Sequence, residues 1–524
     1  MKFVAQLGFH GLQLGPQGET SAFDPSPYNA TLFSRSTVAL AVAPLVESGI
    51  LPGEMAERAV ASRPDGALSR ASHAYAHAAM AELLEGAWQR QRGNHDLQAR
   101  ISRFAERHGE WLRQAEPSPA SADAVGAYRL GQLLAHEQHD ELRAGARAAG
   151  LRLSGDLQIG ISHRELPAYR SLLLPAFALG APPSRTNPEG QAWSYGVLNP
   201  DLYGTRSKPG AALAFVRARA RKLLSEYDGL RVDHPHGLID PWVYASNDPH
   251  PLPAVRRGGR LFSSPEHREL ARWAIARPDQ IDPDEPPHGD ARVRELTPEQ
   301  VDRYAVLFDA LLDAVKDGGG EVEDVIAEVL STQPYPVRRV LERHGLGRFR
   351  VTQKASMRDS GDVYRAENAR GQDWIMVGTH DTEPVWRVAE RWVATGAAAE
   401  RAAYLAARLV PGERDRAAWA TQVAASPAAL ARAELANLFV GPAANVMIFF
   451  SDLFGLRDVY NRPGTVSGEN WSLRVPPDFA ARYPLAAREG KALHLPSALA
   501  TAIRARGAPF TSAHRGLLER LDAA

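Results

Sequence analysis

Apolar and polar positions change period along the chain. Residues 38–150 are rich in Ala, Leu and Arg, and their apolar positions have helical spacing. Leu97, Ile101, Phe104, His108 and Trp111 step by three and four, which predicts one buried helix face. His73, Tyr75 and His77 fall at i, i+2 and i+4 of another predicted helix and read as a solvated face. Pro117 to Pro119 reads as a linker between helices. From about residue 151, short apolar runs alternate with helical stretches. Including an earlier run in the first fifteen residues, they lie near positions 11, 155, 229, 324, 349, 374 and 445. Strands that are apolar throughout and separated by helices predict a parallel sheet covered on both faces. The fold class expected is therefore α/β, a (β/α)8 TIM-type barrel with helical insertions, one strand short of eight. The division expected is 1–40 for the start of the barrel and a Gly-, Pro- and Ser-rich loop, 41–150 for a mainly helical insertion, and 151–524 for the remainder. Helices are predicted at about Pro209–Tyr227 and Thr297–Val315. A loop is predicted to hold Gln191, Trp193 and Asn199, and a Pro- and Asp-rich surface excursion to span 276–292.

The 524 residues contain 44% hydrophobic positions, enough for a large core, and 61 basic against 61 acidic side chains. A formal charge of zero argues against nucleic acid or an acidic membrane as the main partner. The absence of cysteine excludes disulfides, thiolate nucleophiles and thiolate-bound metal, and suits a reducing cytoplasm. The start, MKFVAQLGFHG, lacks the apolar run and cleavage site of a secretory signal. No run approaches the ~18 apolar residues of a membrane span. The glycines never take a phosphate-binding spacing after a strand, so no nucleotide or other organic cofactor is implied.

Polar residues gather at the ends of the predicted strands: Asp156, Asp233, Glu328, Lys354, His380 with Asp381, and Asp452. The stretch YDGLRVDHPHGLIDPW, Tyr227 to Trp242, concentrates the chemistry. Arg231 and Asp233 are two apart, so on a strand they share a face. Burying both costs desolvation unless something uses them. Asp233, Glu328 and Asp381 place three carboxylates at three strand ends. Two carboxylates flanking a bond suit glycoside chemistry: one attacks the anomeric carbon while the other donates and recovers a proton. A third can hold sugar hydroxyls and keep the acid protonated by like-charge repulsion. Arg231 would keep Asp233 ionised. Tyr28, Trp193 and Trp471 offer flat apolar faces that suit sugar rings.

Over most of its length the chain resembles the 4-α-glucanotransferases (amylomaltase, disproportionating enzyme), glycoside hydrolase family 77. The resemblance rests on LRVDHPHG at Leu230–Gly237, VIAEVL at Val325–Leu330 and VGTHD at Val377–Asp381. GDLQIGI at Gly155–Ile161, GQAW at Gly190–Trp193, VYNRPGT at Val459–Thr465 and SPYNATLF at Ser26–Phe33 also fit. It implies a retaining transfer of α-1,4-glucan segments between maltodextrins, with Asp233 as nucleophile, Glu328 as general acid/base and Asp381 distorting the substrate. It further implies that Arg231 supports the nucleophile, that His380 accompanies Asp381, and that Tyr28, Asp156, Gln191, Trp193, His234 and Asn461 contact sugar. Val329-Leu330-Ser331 stands where the family usually has Asp-Leu-Gly, and Thr382-Glu383-Pro384 where it usually has an amide and an acid. The family's first barrel strand is expected well before Gly11.

Two other readings stay open on the sequence. His234-Pro235-His236 with His380-Asp381 could serve a metal-dependent hydrolase of amidohydrolase type, although no bridging Lys can be placed. The departures after Glu328 would also suit a glucan-binding relative without catalysis. The main reading implies no metal, and the oligomeric state is not readable from sequence.

Overall fold

The computed structural model describes residues 1–66, 69–117, 121–185 and 187–524. Residues 118 and 119 of the expected linker lie outside them. In chain order the strands are β1 (Gly11–Gln13), β2 (Arg152–Leu157), β3 (Leu173–Ala181), β4 (Gln191–Leu198), β5 (Gly229–Val232), β6 (Trp242–Ala245), β7 (Gly259–Arg260), β8 (Val325–Ala327), β9 (Phe349–Val351), β10 (Trp374–Met376) and β11 (Asn445–Val446). Each of the seven predicted apolar runs overlaps one of these strands, and all seven pair in parallel. The paired segments are shorter than the apolar runs. β2 begins before Gly155 and stops at Leu157, and β11 is only two residues long.

The chain divides into two compact units: Met1–Ala327 with Thr332–His344, and Glu328–Ser331 with Gly345–Ala524. In the first, a parallel sheet has the order β1-β2-β5-β8. β5 is buried along its whole length, as a central strand covered on both faces must be. The register sets Asp156 opposite Arg231, and Arg231 opposite Ile326. The helix Ala211–Glu226 leads into β5. The helix Pro298–Asp317 leads towards β8 and starts with a reciprocal cap, Thr297 Oγ1 accepting from Gln300 N and Gln300 Oε1 from Thr297 N.

The structure corrects three expectations in this unit. The segment holding Gln191 and Trp193 is not a loop but strand β4, in an antiparallel sheet of order β4-β3-β6-β7. Its polar and aromatic alternation belongs to a half-buried strand, unlike the apolar parallel runs. Asn199 follows it directly and caps the next turn by accepting from Asp201 N. The stretch 276–292 is largely exposed, but it is anchored rather than free, with a 3-10 helix at Pro278–Gln280 and a bridge between Ile281 and Val293. Gln280 is buried and exchanges amide hydrogen bonds with Gln300, and Asp282 is buried as well. Finally, His73, Tyr75 and His77 are half-buried rather than solvated. Tyr75 donates to the Ala59 carbonyl, and His77 Nε2 lies 3.2 Å from Thr20 Oγ1.

Helices at Val42–Glu47, Gly53–Ala61, His73–Gln91, His95–Ala115 and Ala122–Ala148 fill the Ala- and Leu-rich region. Leu97, Ile101, Phe104 and Trp111 are buried on the predicted face. In the second unit, β11-β10-β9 form a parallel sheet. Helices at Val385–Thr395, Ala398–Leu409, Glu413–Ala424 and Pro427–Asn437, in the Ala-rich stretch, lie between β10 and β11 in the chain. Arg401 and Glu434 form a buried ion pair there, and Arg401 Nη2 also donates to the Thr352 carbonyl at 2.6 Å. Among the described residues, no helix is long and apolar enough to cross a membrane.

Candidate active site

In the first unit, the ends of β2 and β5 carry the site. Asp156 and Arg231 face each other across the ladder, and Arg231 Nη1 donates to Asp156 Oδ2 at 2.6 Å. Arg231 Nη2 donates to Asp233 Oδ1 at 3.3 Å. One guanidinium therefore spans two carboxylates, a geometry a lysine ammonium cannot reproduce. All three side chains are buried. Asp233 sits one residue past β5, and its backbone N–H donates to the Leu157 carbonyl at 3.0 Å. The shared face of Arg231 and Asp233 predicted from their spacing is thus present.

Tyr28 reaches this pair from the loop after β1. Its hydroxyl donates to Asp156 Oδ2 at 3.1 Å and accepts from Arg231 Nη1 at 3.2 Å. The loop is zipped at its base by a bridge between Gly18 and Arg35. Glu19 N–H donates to Thr31 Oγ1, and Thr31 N–H to the Glu19 carbonyl. A third donor on Asp156 is Gln13 Nε2, at 3.4 Å. Sequence reasoning missed Gln13, because nothing local to a three-residue strand marks a contact 143 positions away.

His234 follows Asp233 with φ +40, the left-handed region that disfavours a side chain. Its Nδ1 lies 3.3 Å from Asp233 Oδ1, and its ring meets Trp193 edge-on at a 4.9 Å centroid distance. Trp193 Nε1 donates to Gln191 Oε1 at 3.1 Å, so the two residues of the GQAW motif orient each other. His236 Nε2 lies 3.0 Å from the Thr332 carbonyl, so that nitrogen holds a backbone group. Tyr195, on the same strand as Trp193, has its hydroxyl pKa raised by burial and by the negative charge of Asp233.

In the second unit, Asp381 follows β10 at the end of VGTHD and is exposed. Asn461 Nδ2 donates to Asp381 Oδ1 at 2.6 Å, and His380 Nε2 lies 3.4 Å from the same oxygen. Trp471, at φ +60, packs on His380 at 5.5 Å. Glu328 follows β8 directly and is buried. Next to it the Val329 carbonyl accepts from Phe349 N–H, which ties this segment to β9. Lys354 ends a short turn after β9. Asp452 is part of the scaffold: it is buried and accepts from Val385 N–H at 2.7 Å, capping the helix Val385–Thr395. Burial pushes its carboxyl up to about 7.

Two groups of residues therefore assemble: Tyr28, Asp156, Arg231, Asp233, His234, Trp193 and Gln191 in one unit, and His380, Asp381, Asn461 and Trp471 in the other. Residues 114–480 match the sequence model of the 4-alpha-glucanotransferases, which covers Asp233, Glu328 and Asp381 together. The chain belongs to the 4-alpha-glucanotransferase family, glycoside hydrolase family 77. It is also similar to the chloroplastic/amyloplastic 4-alpha-glucanotransferase of Oryza sativa subsp. japonica, 26% identical over 145 residues. That alignment covers 26% of this chain and 24% of the rice protein. Two solved structures share the fold. The amylomaltase of Streptococcus agalactiae, in complex with acarbose, matches with a TM-score of 0.68 at 17% identity, over 94% of this chain and 93% of that one. The amylomaltase of Corynebacterium glutamicum matches with a TM-score of 0.65 at 19% identity, over 94% and 70%. The amylomaltase-like α/β fold, with its parallel strands and helices, agrees with the class expected from the sequence.

Proposed function

We propose that this protein is a retaining transferase moving α-1,4-glucan segments from a donor to an acceptor maltodextrin. The observation that carries the reading is the family match, whose span includes all three strand-end carboxylates. The two-carboxylate grip of Arg231 supports the role given to Asp233. A nucleophile at neutral pH must be ionised, and a guanidinium in contact favours that state.

In this mechanism Asp233 attacks C1 of an α-linked glucose. The C1–O bond breaks, and Glu328 gives its proton to the departing 4-oxygen. Glu328 then takes the proton of an acceptor 4-hydroxyl, whose oxygen attacks C1 and frees Asp233. Double displacement of this kind calls for the two carboxyls about 5–5.5 Å apart. Asp381, held by Asn461 and His380, binds sugar hydroxyls and favours the distorted ring. Tyr28, Gln191, Trp193, His234 and Asp156 complete the sugar-facing set, and Asp156 also anchors Arg231. The parallel strands are assigned to a TIM-type barrel, 41–150 to a helical insertion, and the chain to the cytoplasm.

Incubating the purified protein with maltotriose tests the reading. Glucose together with maltopentaose and longer chains is the expected product set. Unchanged maltotriose, or glucose and maltose alone, overturns it.

A further inference from the structure

Beside Asp156, the first unit holds a partly open cavity of about 20 Å³, room for one water or one monatomic ion. Its wall carries three cationic side chains, Arg35, Arg219 and Lys222, against two carboxylates, Asp156 and Glu226. Both carboxylates are committed. Asp156 pairs with Arg231. Glu226 pairs with Arg35 at 2.7 Å and with Lys222 one helical turn away. Arg219 has no such partner. It is only 6% exposed, and its Nε is buried without an acceptor. No hydrogen bond or ion pair is formed by its side chain among the described residues. Glu165, Asp233 and Asp156 act on it only through space, and the Glu165 carboxylate accepts instead from Leu32 N–H at 2.9 Å.

A buried cation with no counter-charge in contact is strongly disfavoured, whereas a cation beside a bound anion is not. Arg219 and Lys222 are three apart on one helix, so they share a face. Arg35 joins them from the base of the Tyr28 loop. Water could accept from Arg219 but brings no charge. Sulfate and phosphate exceed the space.

We propose that this cavity is a binding site for a monatomic anion of the halide class, held by Arg219 together with Arg35 and Lys222. The anion supplies the direct contact to Arg219 that the carboxylates of the wall do not. It joins the Ala211–Glu226 helix, which leads into β5, to the loop that carries Tyr28.

The test uses the full chain and readouts independent of glucan transfer, so it stands whether or not the transferase reading does. Thermal midpoints are measured in sodium gluconate as chloride or bromide replaces gluconate at constant ionic strength, with sulfate as a control. The expected result is a saturable rise of several degrees with either halide and none with sulfate. Arg219→Gln is expected to lose that rise. Crystals grown in bromide should show an anomalous bromine peak in the cavity, a result that stands even if the variant does not fold. Midpoints that do not saturate with halide, a rise that Arg219→Gln retains, or bromide crystals whose cavity density is water alone would overturn the proposal.

Discussion

Asp156 and Arg231 stand opposite each other in the parallel register of β2 and β5, joined by a 2.6 Å charged hydrogen bond. The same arginine reaches Asp233 with its other terminal nitrogen. Removing it leaves two buried carboxylates without the cation that bridges them. Breaking a buried ionic arrangement from one side costs about 3–5 kcal/mol. Arg231→Gln should therefore unfold at clearly lower denaturant and lose glucan transfer. Asp156→Asn should be milder, because Arg231 keeps Asp233. A urea series in which Arg231→Gln lies within about 1 kcal/mol of the parent contradicts this arrangement.

Asp233→Asn separates chemistry from folding. Asp156 still answers Arg231, so the variant should fold like the parent, with an unchanged near-ultraviolet dichroism spectrum. Loss of the nucleophile should lower kcat on the order of 10⁴-fold or more. Maltotriose turnover near the parent's rate removes Asp233 from the nucleophile's place.

Two buried groups give opposite pH dependences of stability. Burial raises the Asp452 carboxyl to about 7 from an unfolded value near 3.8. Between these values the folded state holds more protons, so stability falls as pH rises from about 4 to about 7. His139 is lowered to about 4 by burial and by Arg35. There the unfolded state holds more protons, so stability rises from about 4 to about 6.5. Asp452→Asn should lessen the fall towards neutrality, and His139→Gln should lessen the loss on acidification. Denaturant midpoints at pH 4.5, 5.5, 6.5 and 7.5 check both signs. Identical profiles for parent and variants would falsify the assignment.

Much of the parallel scaffold was legible because those strands are apolar throughout. Leu230 and Val232 of β5 or Ile375 of β10 need no register to announce burial. The antiparallel sheet escaped because β4 has polar and aromatic residues on a half-exposed face, with Gly190 at φ +71 just before it. That composition also suits a loop. At the site, Arg231 and Asp233 were legible from a spacing of two. Arg219 was not, since a helical arginine is ordinarily solvated, and only the packing of three distant segments buries it. Gln13 on Asp156 and Asn461 on Asp381 are likewise long-range pairs.

His234 occupies a left-handed backbone conformation while its ring packs on Trp193. A non-glycine residue there costs about 1–2 kcal/mol. His234→Gly relieves that strain but deletes the ring, so the two effects on stability oppose each other. Folding should change little, whereas KM for maltotriose should rise. A variant with parental KM shows that the strained histidine does not serve the sugar.

Gly18 tests whether the Tyr28 loop has to sit where it does. A Cβ there would lie 2.0 Å from the Thr31 carbonyl oxygen and 3.0 Å from Ala30 Cβ. The first partner is backbone, so the loop must move rather than a flexible side chain. Gly18 sits in the bridge that closes the loop, and Tyr28 hangs from the far side with hydroxyl contacts to Asp156 and Arg231. Gly18→Ala should therefore loosen those contacts and raise KM, with a smaller effect on the chemical step, because Asp233 keeps its own bond to Arg231. Gly15→Ala is the control. It lies on the same approach to the loop, and its added Cβ meets nothing within 4 Å. Parental KM in Gly15→Ala beside a several-fold rise in Gly18→Ala is the expected pair. Equal behaviour of the two variants removes the loop from substrate binding.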